Sequence, residues 1–346
     1  MTVESETSRT QEAGSPAQPE NNRGLPVGDR ESRNATLFHE HWWLDAVTDG
    51  RFAEVQVEDG NGVVGRLPYV VSKRFGFSQL TLPPFTHVLG PSVESGRGKY
   101  QNRIKTRAAI VRQLIGKLPR HDFFFQICDP TCDDGLALVD GLAFQECGFQ
   151  VKTQYTYRID CRNSPDVLLQ HMHIKARQPI RMAQKLYDVV SVGDADVFTR
   201  FYLNALRARG LKPNIPLGRF ADLYSQCRAR ACGEVLAAMD ESGAPAAMIF
   251  VVWDRRTMYY LLSVRAPDRP DKGAVNLLIW SAMQKAHRLG LSFDLDGVST
   301  SGNARFLSHF GGELRTRMVV TSSRPLFSTL QHFKRMLGYG STSSYS

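Results

Sequence analysis

The chain has 346 residues, of which 42% are hydrophobic and 22% charged. That length accommodates two domains or one large α/β unit, and the composition excludes a largely disordered chain. The formal net charge of +9 suits an anionic ligand or partner, and no uncharged apolar run approaches the ~18 residues of a membrane span.

Arg outnumbers Lys 32 to 11. Guanidinium groups suit bidentate phosphate or carboxylate contacts. Residues 1–35 are rich in Ser, Glu, Gln, Pro, Asn and Gly and read as a disordered tail, as does 339–346. The first residues are polar and lack an apolar signal core, so a soluble, cytoplasmic protein is the expectation.

Order is expected to begin near Thr36, with a helix over 37–47 that carries Trp42 and Trp43. Strands follow at 52–58 and 63–72, joined by Asp59-Gly60-Asn61-Gly62, a hairpin signal. A third strand near 78–82 runs into a loop marked by Pro83-Pro84 and Gly90-Pro91. Ile104, Ala108, Val111, Ile115 and Leu118 then make an amphipathic helix with a basic outer face. A strand at 122–127, a helix at 136–146 and a strand at 149–159 complete the first half.

In the second half, helices are expected at 179–187, 195–209 and 218–230. Strands follow at 233–240, 245–253 and 257–264, then a helix at 274–289 that Gly290 ends. A strand at 291–296, a short helix at 303–310 and a strand at 313–321 come next. Leu326, Leu330, Phe333 and Leu337 lie on one stripe of a last helix at 325–337. That helix would dock on the second half or touch a membrane surface peripherally.

The two halves repeat one grammar. Each has a hairpin, a third strand, a loop, a long helix and another strand. Glu54-Val55-Gln56-Val57 before Asp59-Gly60 parallels Glu234-Val235-Leu236 before Asp240 and Gly243. The fold class is therefore α/β, with a first unit over 36–160 and a second over 161–338.

Cys128, Cys132, Cys147, Cys161, Cys227 and Cys232 show no paired C-x2-C spacing, and His39/His41 and His171/His173 belong to no ligand set. Reduced thiols and no metal are expected.

Three segments carry a family resemblance. The first is Arg177-Gln-Pro-Ile180-Arg181-Met-Ala183. The second is the helix from Val275 to Leu289 followed by Gly290-Leu-Ser-Phe-Asp294-Leu-Asp296-Gly297. The third is Arg305-Phe306-Leu307-Ser-His309-Phe310-Gly311-Gly312-Glu313. Together they resemble the FemAB-like branch of the GNAT acyltransferases, which includes cellulose-biosynthesis and polysaccharide-linked acetyltransferases. The resemblance implies two tandem GNAT-like units, each a mixed, mostly antiparallel sheet flanked by helices. It implies acyl transfer from acyl-CoA, normally acetyl-CoA, to an amine or hydroxyl of a cell-envelope or exopolysaccharide precursor. The Fem-type alternative takes an aminoacyl-tRNA donor, and Leu307 departs from the lysine of that motif. A non-catalytic binder of anionic polymers is the remaining alternative, favoured only by the basic charge.

Acyl transfer needs three things: a grip on the donor's phosphates, stabilisation of the oxyanion and a proton acceptor for the nucleophile. The GNAT phosphate signature is nearest matched at Arg269-Pro-Asp-Lys272-Gly273-Ala274. With Arg265, this loop opens onto a helix N-terminus, where main-chain N–H groups favour anions. Asp294 and Asp296 alternate on a strand and share one face. Either serves as base or caps the glycine loop that follows. His309 titrates near neutrality. The resemblance also suggests a tyrosine, Tyr260 beside Tyr259, as proton donor to the leaving thiolate. Arg177, Arg181 and Lys185 are spaced by four. As one helical face they grip an anionic or sugar-containing acceptor or are simply solvated. Pro179 in a first helical turn would leave Arg177 just outside the helix.

Overall fold

The computed structural model describes residues 35–329 except 75, 95, 130–134, 214, 270–271, 298–299, 326 and 328. The two expected tails thus fall outside the described residues, save Ala35. So does most of the expected helix over 325–337.

A single 3-10 turn, Leu37–His39, precedes α1 (His41–Thr48). β1 (Phe52–Asp59) and β2 (Gly62–Arg74) form the expected hairpin. Asp59 Oδ1 accepts from Asn61 N–H at 2.7 Å, a side-chain turn that sets its tip. β3 (Phe77–Thr81) follows, and β4 (Ser92–Val93) pairs back onto β2. α2 (Tyr100–Gly116), β5 (Phe123–Cys128), α3 (Leu138–Glu146) and β6 (Gln150–Asp160) close the first half.

The second half begins with α4 (Pro165–His171) and α5 (Ile174–Ala183). It continues through β7 (Asp188–Val192), α6 (Ala195–Ala208) and α7 (Phe220–Ala229). Then come β8 (Gly233–Met239), β9 (Pro245–Trp253), β10 (Thr257–Arg265) and α8 (Ala274–Arg288). β11 (Ser292–Gly297), α9 (Ser301–Ser308) and β12 (Glu313–Ser323) complete it.

The duplicated grammar holds in three dimensions. β1-β2-β3-α2-β5 and β8-β9-β10-α8-β11 are built alike. The ladders β3–β5 and β10–β11 are the parallel ones, and the other described ladders are antiparallel. The strands form one sheet in the order β1-β2-β3-β5-β12-β6-β11-β10-β9-β8-β7.

The centre of that order differs from two sheets laid side by side. β6 pairs with β11 of the second unit, and β12 runs back to pair with β5 of the first. The two units exchange their final strands. β6 and β12 then pair with each other from Glu313↔Arg158 to Thr321↔Gln150. An unpaired edge between the units is thereby avoided.

Three cores follow from this layout. One lies under α2 and α3 and includes Leu67, Leu114, Phe124 and Phe144. A second lies under α5 and α8. The third joins the units, because Trp43, Leu44 and the loop residues Phe85 and Val88 pack with Phe198, Phe220 and Phe250.

Several sequence expectations need correction. α5 spans 174–183 rather than 179–187, because His173 caps it by accepting from Lys175 N–H at 3.2 Å. Pro179 therefore sits inside the helix, beyond its first turn, and Arg177 is helical. The short elements α4 and β7 lack the long periodic runs that sequence reading depends on. The outer face of α2 is not wholly basic-and-solvated: Arg107 turns inward and pairs with Asp140 at 2.7 and 2.9 Å. Of the expected last helix, Phe327 is buried between Phe77 and Phe123, each ring 5.3 Å away. Among the described residues, no helix is long and apolar enough to cross a membrane.

Candidate active site

β10 and β11 begin as a pair, with Thr257 beside Ser292 and Tyr259 beside Asp294. Beyond those residues they part. The ladder of β10 with β9 shifts register between Tyr260 and Leu262, and that of β11 with β6 shifts between Asp294 and Gly297. The second irregularity re-aims Asp296, whose φ of 69° is left-handed. A non-glycine residue held there stores strain, and bulges of this kind occur beside active sites.

His87 enters this cleft from the loop between β3 and β4. Its Nδ1 lies 3.1 Å from Asp296 Oδ1, close enough for an ion pair but not aligned as a hydrogen bond. The ring also bonds the main chain of Leu261 on β10. One imidazole from the first unit thus spans the two strands of the second where they separate. Burial lowers its pKa against the pull of Asp296.

Behind Asp296 stands a buried ionic chain. Arg317 Nη1 donates to Asp296 Oδ1 and Nη2 to Asp294 Oδ1, each at 2.9 Å. Arg158 Nη2 donates to Asp294 Oδ2 at 2.9 Å and to Asp129 Oδ2 at 2.6 Å. The Thr156 hydroxyl donates to Asp294 Oδ1 at 2.6 Å. Burial alone would raise the Asp294 pKa, but the two guanidinium groups and the hydroxyl hold it well below the ordinary carboxylate range. Burial likewise disfavours the charge of Arg317, yet Asp294 and Asp296 raise its pKa.

These facts separate the two expected carboxylates. Asp294 has no solvent exposure and every oxygen engaged, so it anchors the ionic chain and is not a proton acceptor. The Asp296 side chain is 37% exposed and reaches the cleft.

The expected donor loop lies at the far end of β10. The N-cap of α8 is Gly273, with φ 85° and no side-chain cap, and the N-terminus of a helix of this length favours an anion. A Cβ on Gly273 would stand 2.5 Å from the Pro179 carbonyl oxygen. The entrance of α8 and α5 therefore meet, which brings the expected phosphate loop beside the helix of Arg177. Arg265 and Lys272 are exposed, and Ala274 is buried. Arg269 pairs with Asp240 in the β8–β9 turn. The Ser242 hydroxyl, the Ala244 N–H and Arg269 together hold that carboxyl near a pKa of about 2.

Arg177 is half-buried, and its Nε is enclosed without a hydrogen-bond partner. Arg181 is exposed on α5, but Lys185 lies beyond the helix end at Ala183, so the three do not form one helical face. Tyr260 is half-buried, and burial pushes its phenol to about 12, which keeps it protonated. Tyr259 is buried and donates to Asp254 Oδ2 at 3.2 Å.

His309 is not part of the cleft. Its ring stacks on His173 with centroids 5.1 Å apart, and its carbonyl accepts from His173 N–H. Burial, then His173, Lys175 and Arg305, lower its pKa. Leu307, at the lysine position of the third motif, is buried in the core. Among the described residues, no cluster of three or more His, Cys, Asp or Glu could hold a metal, and Cys128, Cys147, Cys161, Cys227 and Cys232 are free thiols.

His87, Arg158, Asp129 and Arg317 escaped sequence reading. Arg317 did leave a signal: a charge directly before the apolar run Met318-Val319-Val320 of β12. His87 left none, since its partner lies more than two hundred residues away.

Residues 161–306 match the acetyltransferase (GNAT) domain family. No curated protein matches the chain. Among solved structures, FemX superposes with a TM-score of 0.62 at 12% identity, covering 85% of this chain and 94% of that one. The C-terminal domain of a putative lysylphosphatidylglycerol synthetase from Agrobacterium fabrum gives 0.52 at 13%, covering 87% and 93%. L-PGS from Bacillus licheniformis gives 0.52 at 12%, covering 86% and 92%. At such identities the likeness is one of fold, and the fold is that of two tandem GNAT-like units.

Proposed function

We propose that the chain is an acyltransferase whose reaction centre is the cleft where β10 and β11 part. The observation that carries this reading is Asp296, strained, partly exposed and set beside His87 at that cleft. Acyl-CoA is the proposed donor, with acetyl-CoA the first to test. Its phosphates would meet the uncapped N-terminus of α8, with Arg265, Arg269 and Lys272 around them.

The proposed acceptor is an amine or hydroxyl of a cell-envelope or exopolysaccharide precursor. Asp296 takes a proton from the attacking group as the new bond to the acyl carbon forms. His87 and Arg317 hold Asp296 in place. The carbon–sulfur bond then breaks, and Tyr260, held in its protonated form by burial, is the proposed proton donor to the thiolate. Arg177 and Arg181, on the helix that abuts the donor loop, are the proposed contacts for an anionic acceptor.

The second reading takes an aminoacyl-tRNA as donor at the same cleft. It is favoured by the net charge of +9 and opposed by Leu307, whose side chain supplies no cation. Isothermal calorimetry with acetyl-CoA separates the two. Micromolar binding that disappears in an Arg269→Ala/Lys272→Ala variant supports the acyl-CoA reading. No binding of acetyl-CoA or of longer acyl-CoAs rejects it and moves the test to charged tRNA.

A further inference from the structure

α7 ends in a Schellman turn. The Cys232 N–H donates to the Cys227 carbonyl and the Ala231 N–H to the Arg228 carbonyl, each at 3.0 Å. Ala231 takes the left-handed φ of 50° that such a turn demands, without the freedom of a glycine. The turn brings together the side chains at its two ends, normally as an apolar contact. Here both ends are cysteines, and their thiols meet. Gly233 makes room for them, since a Cβ there would stand 2.7 Å from Cys227 Cβ and 3.2 Å from its sulfur.

The two sulfurs differ in access. Cys227 is fully enclosed in the core that joins the two units. Cys232 lies in the wall of a cavity of about 320 Å³, beside Leu37, Trp42 and Trp253. The Arg230 guanidinium stands 4.6 Å from the Trp42 ring of that wall. Burial, then the neighbouring thiol, raise the Cys227 pKa well above its ordinary value, and Arg230 opposes them. A guanidinium beside a thiol favours the thiolate, which is the form that reacts.

We propose that Cys227 and Cys232 form a redox-active dithiol, which a low-molecular-weight disulfide entering this cavity converts to an internal disulfide. A disulfide spans Cα atoms ~4.4–6.8 Å apart, a separation typical of two residues joined by a main-chain hydrogen bond. The Cys232 thiolate attacks one sulfur of the reagent, forming a mixed disulfide and expelling one thiolate. The Cys227 thiolate then attacks the Cys232 sulfur, the bond between the two cysteines forms and the second reagent sulfur leaves. Two electrons pass to the reagent, whose two thiolates take up the protons that the cysteines lost. Burial makes Cys227 a weak nucleophile, and its contact with Cys232 supplies the proximity that offsets this. No residue of the turn belongs to the Asp296 cleft, so the inference stands whether or not the chain transfers acyl groups.

Peptide mass spectrometry on the full chain tests it, after treatment with bis(2-hydroxyethyl) disulfide and blocking of the remaining thiols. Trypsin cuts after Arg228 and Arg230, so a closed pair joins two separate peptides. That linked species is expected from the folded chain and should disappear with dithiothreitol. The exposed Cys147 forms a mixed disulfide in every sample and controls for the reagent. In Cys227→Ser the reaction should stop at a mixed disulfide on Cys232. In Cys232→Ser the Cys227 sulfur should stay unmodified, with circular dichroism unchanged in both variants. A series of oxidised-to-reduced reagent ratios gives the equilibrium constant for closing the pair. That constant is expected to be about tenfold larger in the folded chain than in concentrated guanidinium chloride, because the turn already holds the sulfurs together. The inference is overturned if no linked peptide forms in the folded chain, or if the pair closes no more readily folded than unfolded. It is equally overturned if Cys232 of the folded Cys227→Ser variant takes up no reagent.

Discussion

Arg317 and Asp294 form a salt bridge of 2.9 Å in which neither side chain is more than 1% exposed. They come from β12 and β11, strands that do not touch each other because β6 lies between them. The bridge therefore crosses a strand borrowed from the other unit and ties the exchange together.

Removing Arg317 leaves the buried Asp294 carboxylate with one guanidinium, Arg158, where it had two. Arg317→Met is expected to destabilise the protein by about 3–5 kcal/mol. The double variant Arg317→Met/Asp294→Leu should regain much of that loss, since both charges are then gone. Urea midpoints for the three proteins check this. An Arg317→Met midpoint equal to wild type would show that the bridge carries no stability.

Asp296→Asn keeps a side chain that tolerates the left-handed backbone and still accepts from Arg317. It loses the negative charge and with it the ability to take a proton. Turnover is expected to fall by about 10²- to 10⁴-fold with circular dichroism and donor affinity unchanged. A variant that turns over at the wild-type rate would remove Asp296 from the mechanism.

Gly273→Ala tests the junction of α8 with α5. The added Cβ meets the Pro179 carbonyl at 2.5 Å, and φ there is 85°. Both effects act in the same direction, and a loss of about 1–3 kcal/mol is expected. Acetyl-CoA affinity should fall as the helix entrance shifts. Thermal melts and calorimetry on the same sample report the two effects separately.

His39 predicts an acid sensitivity. It is buried, its Nδ1 accepts from Thr36 N–H at 3.1 Å, and its Nε2 faces the Gly90 carbonyl at 3.3 Å. That bonding pattern assigns the neutral ring with the proton on Nε2. Burial, then Arg66, lower its pKa from 6.5 to about 3. The unfolded chain binds this proton first as pH drops below about 6.5, so the contribution is fully present above that value and declines below it. The loss reaches about 2 kcal/mol by pH 5. Denaturant titrations from pH 7 to 5 should show that slope, and a folded His39→Gln variant should lack it.

Much of the fold was readable because its signals are local. The Asp59–Gly62 turn, the apolar stripe of α8 and the Gly290 stop each act within one or two turns of chain. The repeat of hairpin, strand, helix and strand follows from those signals taken in order. α4 and β7 were missed because five to seven residues hold too few repeats to show a period. α5 was displaced because Pro179 resembles a helix start, whereas the cap that decides the start is the His173 side chain.

The candidate site was legible only in part. Asp294-Leu-Asp296 stood out as paired carboxylates, but alternation on a strand gives both the same status. Burial separated them: one is sealed between two arginines, and the other is turned outward by a bulge and a left-handed φ. The sequence by itself determined the element types, the duplication and the residues that could carry charge. The tertiary structure alone decided the strand exchange, the entry of His87 between β10 and β11 and the Arg317 bridge. Those outcomes depend on contacts between segments far apart in the chain, where register and desolvation, not local propensity, set the energy.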